Sequence, residues 1–454
     1  MTKGPRRLLG AAGLLLALAA PALAASAAPR IEYQDFTLPN GLRVLISTDH
    51  AVPVAVVSLI FDAGGRNETP GHSGFAHLFE HLMFEGSQNV PRGGFDRMLE
   101  SYGGENNAST HEDFALYYEE MPSNAVPVAL WLDSDRVGAL NVSKEAVKNQ
   151  IEVVKEEKRL SVDNRPYGPM LGLDISSRSF SNWQNAHAVI GSAEDLDASS
   201  LEDVRDFFKA YYAPANAVLA VVGDVDPSEV KRWVTDLFGQ LPKREKPAAP
   251  DTTEPEPGSG QRFELKDPQA KLPALALSWK GMPARGSADF NALVLLGRAL
   301  FAGKSSRLYQ ELVKNSKVAV ELDGGLGFPV CDASDYKSPA LFGAFVIHKA
   351  EASPDKVKDL LAAQLARVAA EGLPEAELRR VKTKFRSDWI LSQQTSLGRA
   401  EKLLMAALLD GDPEAANGLD RYMAVSPEDI RRVAGRYLKA DLANVFVLSP
   451  GGAR

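Results

Sequence analysis

The segment from Gly71 to Ser87, GHSGFAHLFEHLMFEGS, holds three residues whose types and spacing suit metal-assisted chemistry. On a helix, Phe75, Leu78, Phe79, Leu82 and Met83 recur at i, i+3, i+4, i+7 and i+8 and make one apolar stripe. His77, Glu80 and His81 fall on the other side. Residues at i and i+4 lie one above the other, so His77 and His81 can aim two imidazoles at one ion, with Glu80 between them in angle. The plainer interpretation is a solvated polar face. Lys and Glu would be commoner there than two of only seven histidines, and Phe84 would sit near the middle of that face.

A catalytic zinc site takes three protein ligands and keeps a position for water, so the third ligand must come from another element. Ser143 can cap a helix from Lys144 to about Leu160, with Val147, Ile151 and Val154 as its buried stripe. Helical angles turn Glu145, Glu152 and Glu156 toward solvent and Glu157 inward, beside the Val154 row. An inward carboxylate needs a partner, because an unpaired buried charge is too costly to keep. A zinc ion is one such partner and a salt bridge to Lys or Arg is the other. Gln150, two turns earlier on the same side, is placed to hydrogen-bond a ligand.

These elements must be held by a large fold. The chain has 454 residues, 45% hydrophobic and 24% charged, with a formal net charge of −8. Length alone, at about 150 residues per domain, suggests about three domains. The acidic total argues against a nucleic-acid footprint, and the single cysteine, Cys331, excludes a disulfide framework or a thiolate-rich metal site. Lys3, Arg6 and Arg7 precede an apolar run from Leu8 to about Ala20, and Ala22-Leu23-Ala24 offers small residues for a signal peptidase. Residues 1–24 therefore read as a signal peptide, cleaved near Ala24, which predicts a periplasmic protein. Arg6-Arg7 leaves twin-arginine export open. A membrane anchor fits less well, since the run is shorter than the ~20 residues of a span, and no later segment has that apolar length.

Pro242 to Gly260, PKREKPAAPDTTEPEPGSG, cannot bury a core and reads as an exposed linker. Each side of it ends alike: Ser200–Asp224 and Ser426–Pro450 are both a capped amphipathic helix with an acidic first turn, followed by a β-branched strand. This repeat predicts two similar α+β domains, at 30–241 and 262–454, joined by residues 242–261. The first opens with a hairpin signal, Asn40-Gly41 between apolar strands, and with a strand from Val52 to Phe61 covered on both faces.

HxxEH at His77–His81, with Glu157 76 residues beyond His81, resembles the inverted zinc motif of the pitrilysin/insulinase metallopeptidases, the inverzincins, in their branch of about 450 residues. Gly103–Ala108 (GGENNA), Val153–Glu157 (VVKEE), Ile190-Gly191 and Tyr211–Pro214 (YYAP) resemble the family too, and the likeness spans essentially the whole mature chain. It implies a fold of two homologous domains, each a mainly antiparallel sheet covered by helices, which together form one half of a clamshell. It also implies one Zn²⁺ per chain on His77, His81 and Glu157, Glu80 as general base, and an edge strand at Asn107 and Ala108 that holds substrate. The activity implied is zinc-dependent endopeptidase action on short or unfolded peptides in an enclosed chamber.

Two departures from the family pattern stand out. Gln150 replaces a carboxylate seven residues before the third ligand. An Arg and a Tyr, seven positions apart, complete the family's active sites from the second half-clamshell, whereas the matching positions here are Lys314 and Glu321. The C-terminal domain also lacks HxxEH and is expected to be non-catalytic. The resemblance therefore implies a hetero-oligomer with a zinc-less homologue that supplies the Arg/Tyr pair, or else a homodimer. Some family members are noncatalytic peptide-binding or structural subunits, which is the alternative function. Gly303-Lys304-Ser305 is not a phosphate loop, because position 298 is Arg instead of Gly.

Overall fold

The computed structural model describes residues 29–329, 331–337 and 339–451, so residues 1–24, expected to be a signal peptide, lie outside the described residues. The first sheet has six strands: β1 Gln34–Thr37, β2 Arg43–Thr48, β3 Val54–Phe61, β4 Glu105–Thr110, β5 Ala115–Pro122 and β6 Ala217–Gly223, in the order β1-β2-β6-β3-β5-β4. The second has five: β7 Arg262–Asp267, β8 Ala274–Trp279, β9 Ala319–Leu326, β10 Phe342–His348 and β11 Asn444–Pro450, in the order β7-β11-β8-β10-β9.

Without β1, the two sheets have one topology. β2 runs parallel to β6 as β7 does to β11, and every other neighbouring pair is antiparallel in both. The helices Leu201–Tyr211 and Pro427–Tyr437 precede β6 and β11, and each starts with a reciprocal Ser/Asp capping box, Ser200 with Asp203 and Ser426 with Asp429. The repeat seen at the ends of the two halves is thus a repeat of whole sheets.

The hairpin closes at Asn40-Gly41. Gly41 has φ +97°, and a Cβ there would lie 2.7 Å from that of Ala215, so glycine is required. β3 begins at Val54 instead of Val52: Pro53 has no N–H for the ladder, and Val52 is left exposed.

Because β3 and β6 are apolar on both faces, each face needs a cover. On one face, Val44, Val57, Leu59 and Leu219 pack under helices α1 (Phe75–Leu82), α2 (Gly94–Ser101), α3 (Val126–Ala139) and α4 (Lys144–Lys158). On the other, Leu45, Val56, Ile60 and Val222 pack against Ala400, Leu403 and Leu404 of the helix Ser396–Met405, which comes from beyond the linker. The exchange is mutual, since Met170, Ile175 and Phe180 cover Ala276, Phe345 and Phe446 of the second sheet. Each half thus supplies a back cover for the other.

Residues 242–261 form no helix or strand, but the stretch is anchored and not simply exposed. The Glu254 carboxylate accepts from the N–H groups of Ser181 and Asn182 and from Asn185 Nδ2, all within 3.0 Å. No helix among the described residues is long and apolar enough to cross a membrane.

Candidate active site

α1 carries the HxxEH segment, and its start is built from outside the helix. Gly74, at φ +90°, has no side chain with which to cap it. Buried Glu68 does so instead, accepting from Gly74 N at 2.9 Å and Ala76 N at 2.8 Å. His187 Nε2 lies 2.9 Å from Glu68 Oε2, and its Nδ1 lies 2.8 Å from Trp183 O. Both ring nitrogens face acceptors, an arrangement that the doubly protonated, charged ring satisfies. Burial disfavours that charge, but the bond to Glu68, its negative charge and the backbone carbonyls of Trp183 and Gly65 together raise the His187 pKa; burial pushes Glu68 up, against His187.

Phe75, Leu78, Phe79 and Leu82 of α1 are buried, as the stripe requires. On α4, Ser143 caps the first turn, Val147, Ile151 and Val154 are buried, and Glu145, Glu152 and Glu156 face solvent. Glu157 turns inward to α1. His77 Nε2 lies 3.6 Å from Glu157 Oε1, and His81 Nε2 lies 3.3 Å from Glu157 Oε2. The two imidazoles are perpendicular, with centroids 5.0 Å apart. One donor atom from each of the three residues falls within 4.8 Å of the others. Among the described residues, the ion-pair contacts of Glu157 are to these histidines and to no Lys or Arg.

The electrostatics suit a ligand set. Burial lowers the pKa of His77, against Glu80 and Glu157, and so favours the neutral ring that a metal needs. The His81 bond holds the Glu157 carboxyl below its ordinary range. Two imidazole nitrogens and a carboxylate converging on one point are the donors that zinc takes in a catalytic site. At 3.6 Å, His77 and Glu157 are too far apart to be hydrogen-bonded to one another. Glu80 Oε2 lies 4.0 Å from His77 Nε2 and accepts from Thr110 Oγ1 at 2.7 Å.

Other expected residues fall as follows. Asn107 and Ala108 lie on β4, the outer strand beside β5, and Asn107 Oδ1 accepts from Ala108 N at 2.8 Å. Gln150 is buried, but its amide donates to Glu85 at 2.7 Å and not to a carboxylate or ring of the histidine cluster. Arg92 lies 2.7 Å from the other Glu85 oxygen, so Gln150 belongs to a network one turn past His81. Lys314 is exposed, with its Nζ 5.9 Å from the Tyr309 ring centroid, and Glu321 is exposed on β9.

Phe84 is explained by a residue that sequence did not single out. Buried Arg136 lies 5.1 Å from the Phe84 ring centroid and 4.5 Å from that of Phe95. It meets Glu119 at 2.7 Å and Asp133 at 2.6 Å. Burial, with Asp133 beside it, pushes Glu119 well up. Thr110, Glu68 and His187 were also missed. Only Thr110 had a sequence signal, its place two residues past Ala108 on the same strand face.

The insulinase (peptidase family M16) pattern matches residues 43–184, and that of the peptidase M16 inactive domain matches 199–385. A zinc protease, PqqE, of Helicobacter pylori is 30% identical over 98% of this chain and 99% of its own length. This chain belongs to the M16 family of zinc metallopeptidases. The crystal structure of a protease from Helicobacter pylori superposes on this M16 chain with a TM-score of 0.86 at 26% identity, covering 93% of this chain and all of the other. A probable mitochondrial-processing peptidase subunit beta of Arabidopsis thaliana is 24% identical over 88% of this M16 chain and 75% of its own length. The "inactive domain" match begins at 199 and takes in β7 to β10, where no HxxEH occurs.

Proposed function

We propose that this zinc protease is an endopeptidase for short or unfolded peptides, cutting them in a chamber closed by a second half-clamshell. The observation that carries this is the convergence of His77, His81 and Glu157 beside Glu80. His77 and His81 would hold Zn²⁺ from α1 and Glu157 from α4. Bound there, zinc lowers the pKa of water and polarises a carbonyl. Glu80 accepts the proton of the attacking water and passes it to the leaving amine. The free edge of β4, at Asn107 and Ala108, takes the substrate backbone as an added strand.

The partner is a zinc-less homologue that brings the Arg and Tyr which Lys314 and Glu321 do not supply, or else a second copy of the chain. A named beta subunit among the relatives supports the first. Export to the periplasm follows from residues 1–24; intact-mass analysis should find the exported chain starting after Ala24.

The test is zinc content and peptide hydrolysis of the mature chain, alone and with a homologous partner, beside a Glu80→Gln variant. Zinc bound in both, with hydrolysis only in the parent, is the expected result. Zinc without hydrolysis in any combination would favour a noncatalytic peptide-binding subunit. Full activity as a homodimer would remove the need for the unlike partner.

A further inference from the structure

We infer that Thr110 is a positioning residue for Glu80 and ties the base to the strand on which substrate is held. The inference rests on the endopeptidase proposal above. Thr110 Oγ1 donates to Glu80 Oε2 at 2.7 Å, joining β4 to α1 through one hydroxyl. Alternate residues of a strand share a face, so Asn106, Ala108 and Thr110 look the same way. That way is toward the helices: Asn106 Nδ2 donates to Asp96 of α2 at 3.0 Å, and Ala108 packs on the core beneath α1. Among the described residues, β4 pairs with β5 on one side and with no strand on the other. A peptide added to the other side docks on the same stretch of backbone that carries the Thr110 hydroxyl.

Glu80 needs such a restraint. It is a long side chain with several rotamers, standing at the angle between His77 and His81, with Oε2 4.0 Å from His77 Nε2. A carboxylate that must take a proton from water loses that role if it turns to become another ligand. The Thr110 bond engages Oε2 and leaves the second oxygen free of Thr110. A neutral hydroxyl orients the carboxylate without adding charge beside the metal ligands.

The test compares Thr110→Val, Thr110→Ala and Thr110→Ser in the zinc-loaded mature chain, with its partner where hydrolysis requires one. Val and Ala are expected to keep the parent's zinc content and melting temperature and a KM within about twofold. Their kcat should fall about tenfold, the scale of one lost charge-assisted hydrogen bond, and Ser should restore it. Thr110→Val should also leave the residual rate of Glu80→Gln no lower, since it acts through that carboxylate. Parent kcat in both Val and Ala overturns the inference, as does a loss of zinc or of melting temperature that matches the loss of rate. A parent with no hydrolysis, equal to Glu80→Gln, overturns the endopeptidase proposal and the role of Thr110 with it. An active parent with unaffected Thr110 variants overturns only the latter.

Discussion

His187 and Glu68 form a buried ion pair, 2.9 Å between Nε2 and Oε2, and the same carboxylate caps the helix that carries His77 and His81. The Trp183 ring stacks on His187 with centroids 3.8 Å apart, closing the pair from above. The start of the site helix is thus held by a segment more than a hundred residues downstream. Glu68→Ala strands two backbone donors and a buried imidazolium. It should cost about 2–5 kcal/mol in urea unfolding and weaken zinc retention. Unchanged stability would show that α1 needs no such cap.

Zinc removal should be as informative as mutation. Chelation is expected to abolish hydrolysis and lower the melting temperature, with both restored by added Zn²⁺. His81→Ala and Glu157→Gln should each lose zinc, whereas Glu80→Gln should retain it. Retention of stoichiometric zinc by Glu157→Gln would remove Glu157 from the ligand set.

A pH effect follows from Glu112, half-buried in the loop between β4 and β5 with its Oε2 shut off from solvent. Burial raises its pKa from 4.5 to about 7; Arg66 opposes the shift, and Asp113 and Asp335 add to it. The folded chain keeps a proton that the unfolded chain releases. Stability should therefore fall as pH rises from about 4.5 to about 7 and level off above that. The contribution is at most about 3–4 kcal/mol, at 1.36 kcal/mol per pKa unit. Glu112→Gln should flatten this slope and be the more stable protein at pH 8, as read by urea unfolding at pH 5 and 8. A slope unchanged by the substitution would place its origin elsewhere.

The exchanged covers predict an effect across the linker. Leu404 is fully buried against the first sheet. Leu404→Ala should cost about 2–5 kcal/mol, and hydrogen exchange should quicken in β3 and β6, although the mutated helix lies beyond residue 261. Faster exchange confined to the second sheet would contradict the packing.

Much of the site was legible because its parts are local. His77, Glu80 and His81 sit within five residues, and one helical period sorts them from Phe75, Leu78 and Phe79. The same period turned Glu157 inward on α4. The first half's hairpin followed from Asn40-Gly41, and the repeated domain from two matching capping boxes. Gln150 went to Glu85 because facing the right side of a helix does not select among the polar groups there.

The amino-acid sequence alone determined which faces of which elements had to be covered and which residues of each helix turned inward, since both depend on spacing along one element. Only the tertiary structure decided what met those faces. Leu403 and Leu404 need burial, but nothing in their spacing says that the opposite sheet provides it. The meeting of Glu157 with His77 and His81, the cap that Glu68 places on α1, and the hydroxyl that Thr110 brings to Glu80 likewise depend on how distant segments pack. Apolar burial is non-directional, so a pattern states that a surface is hidden and leaves its partner to the global fold.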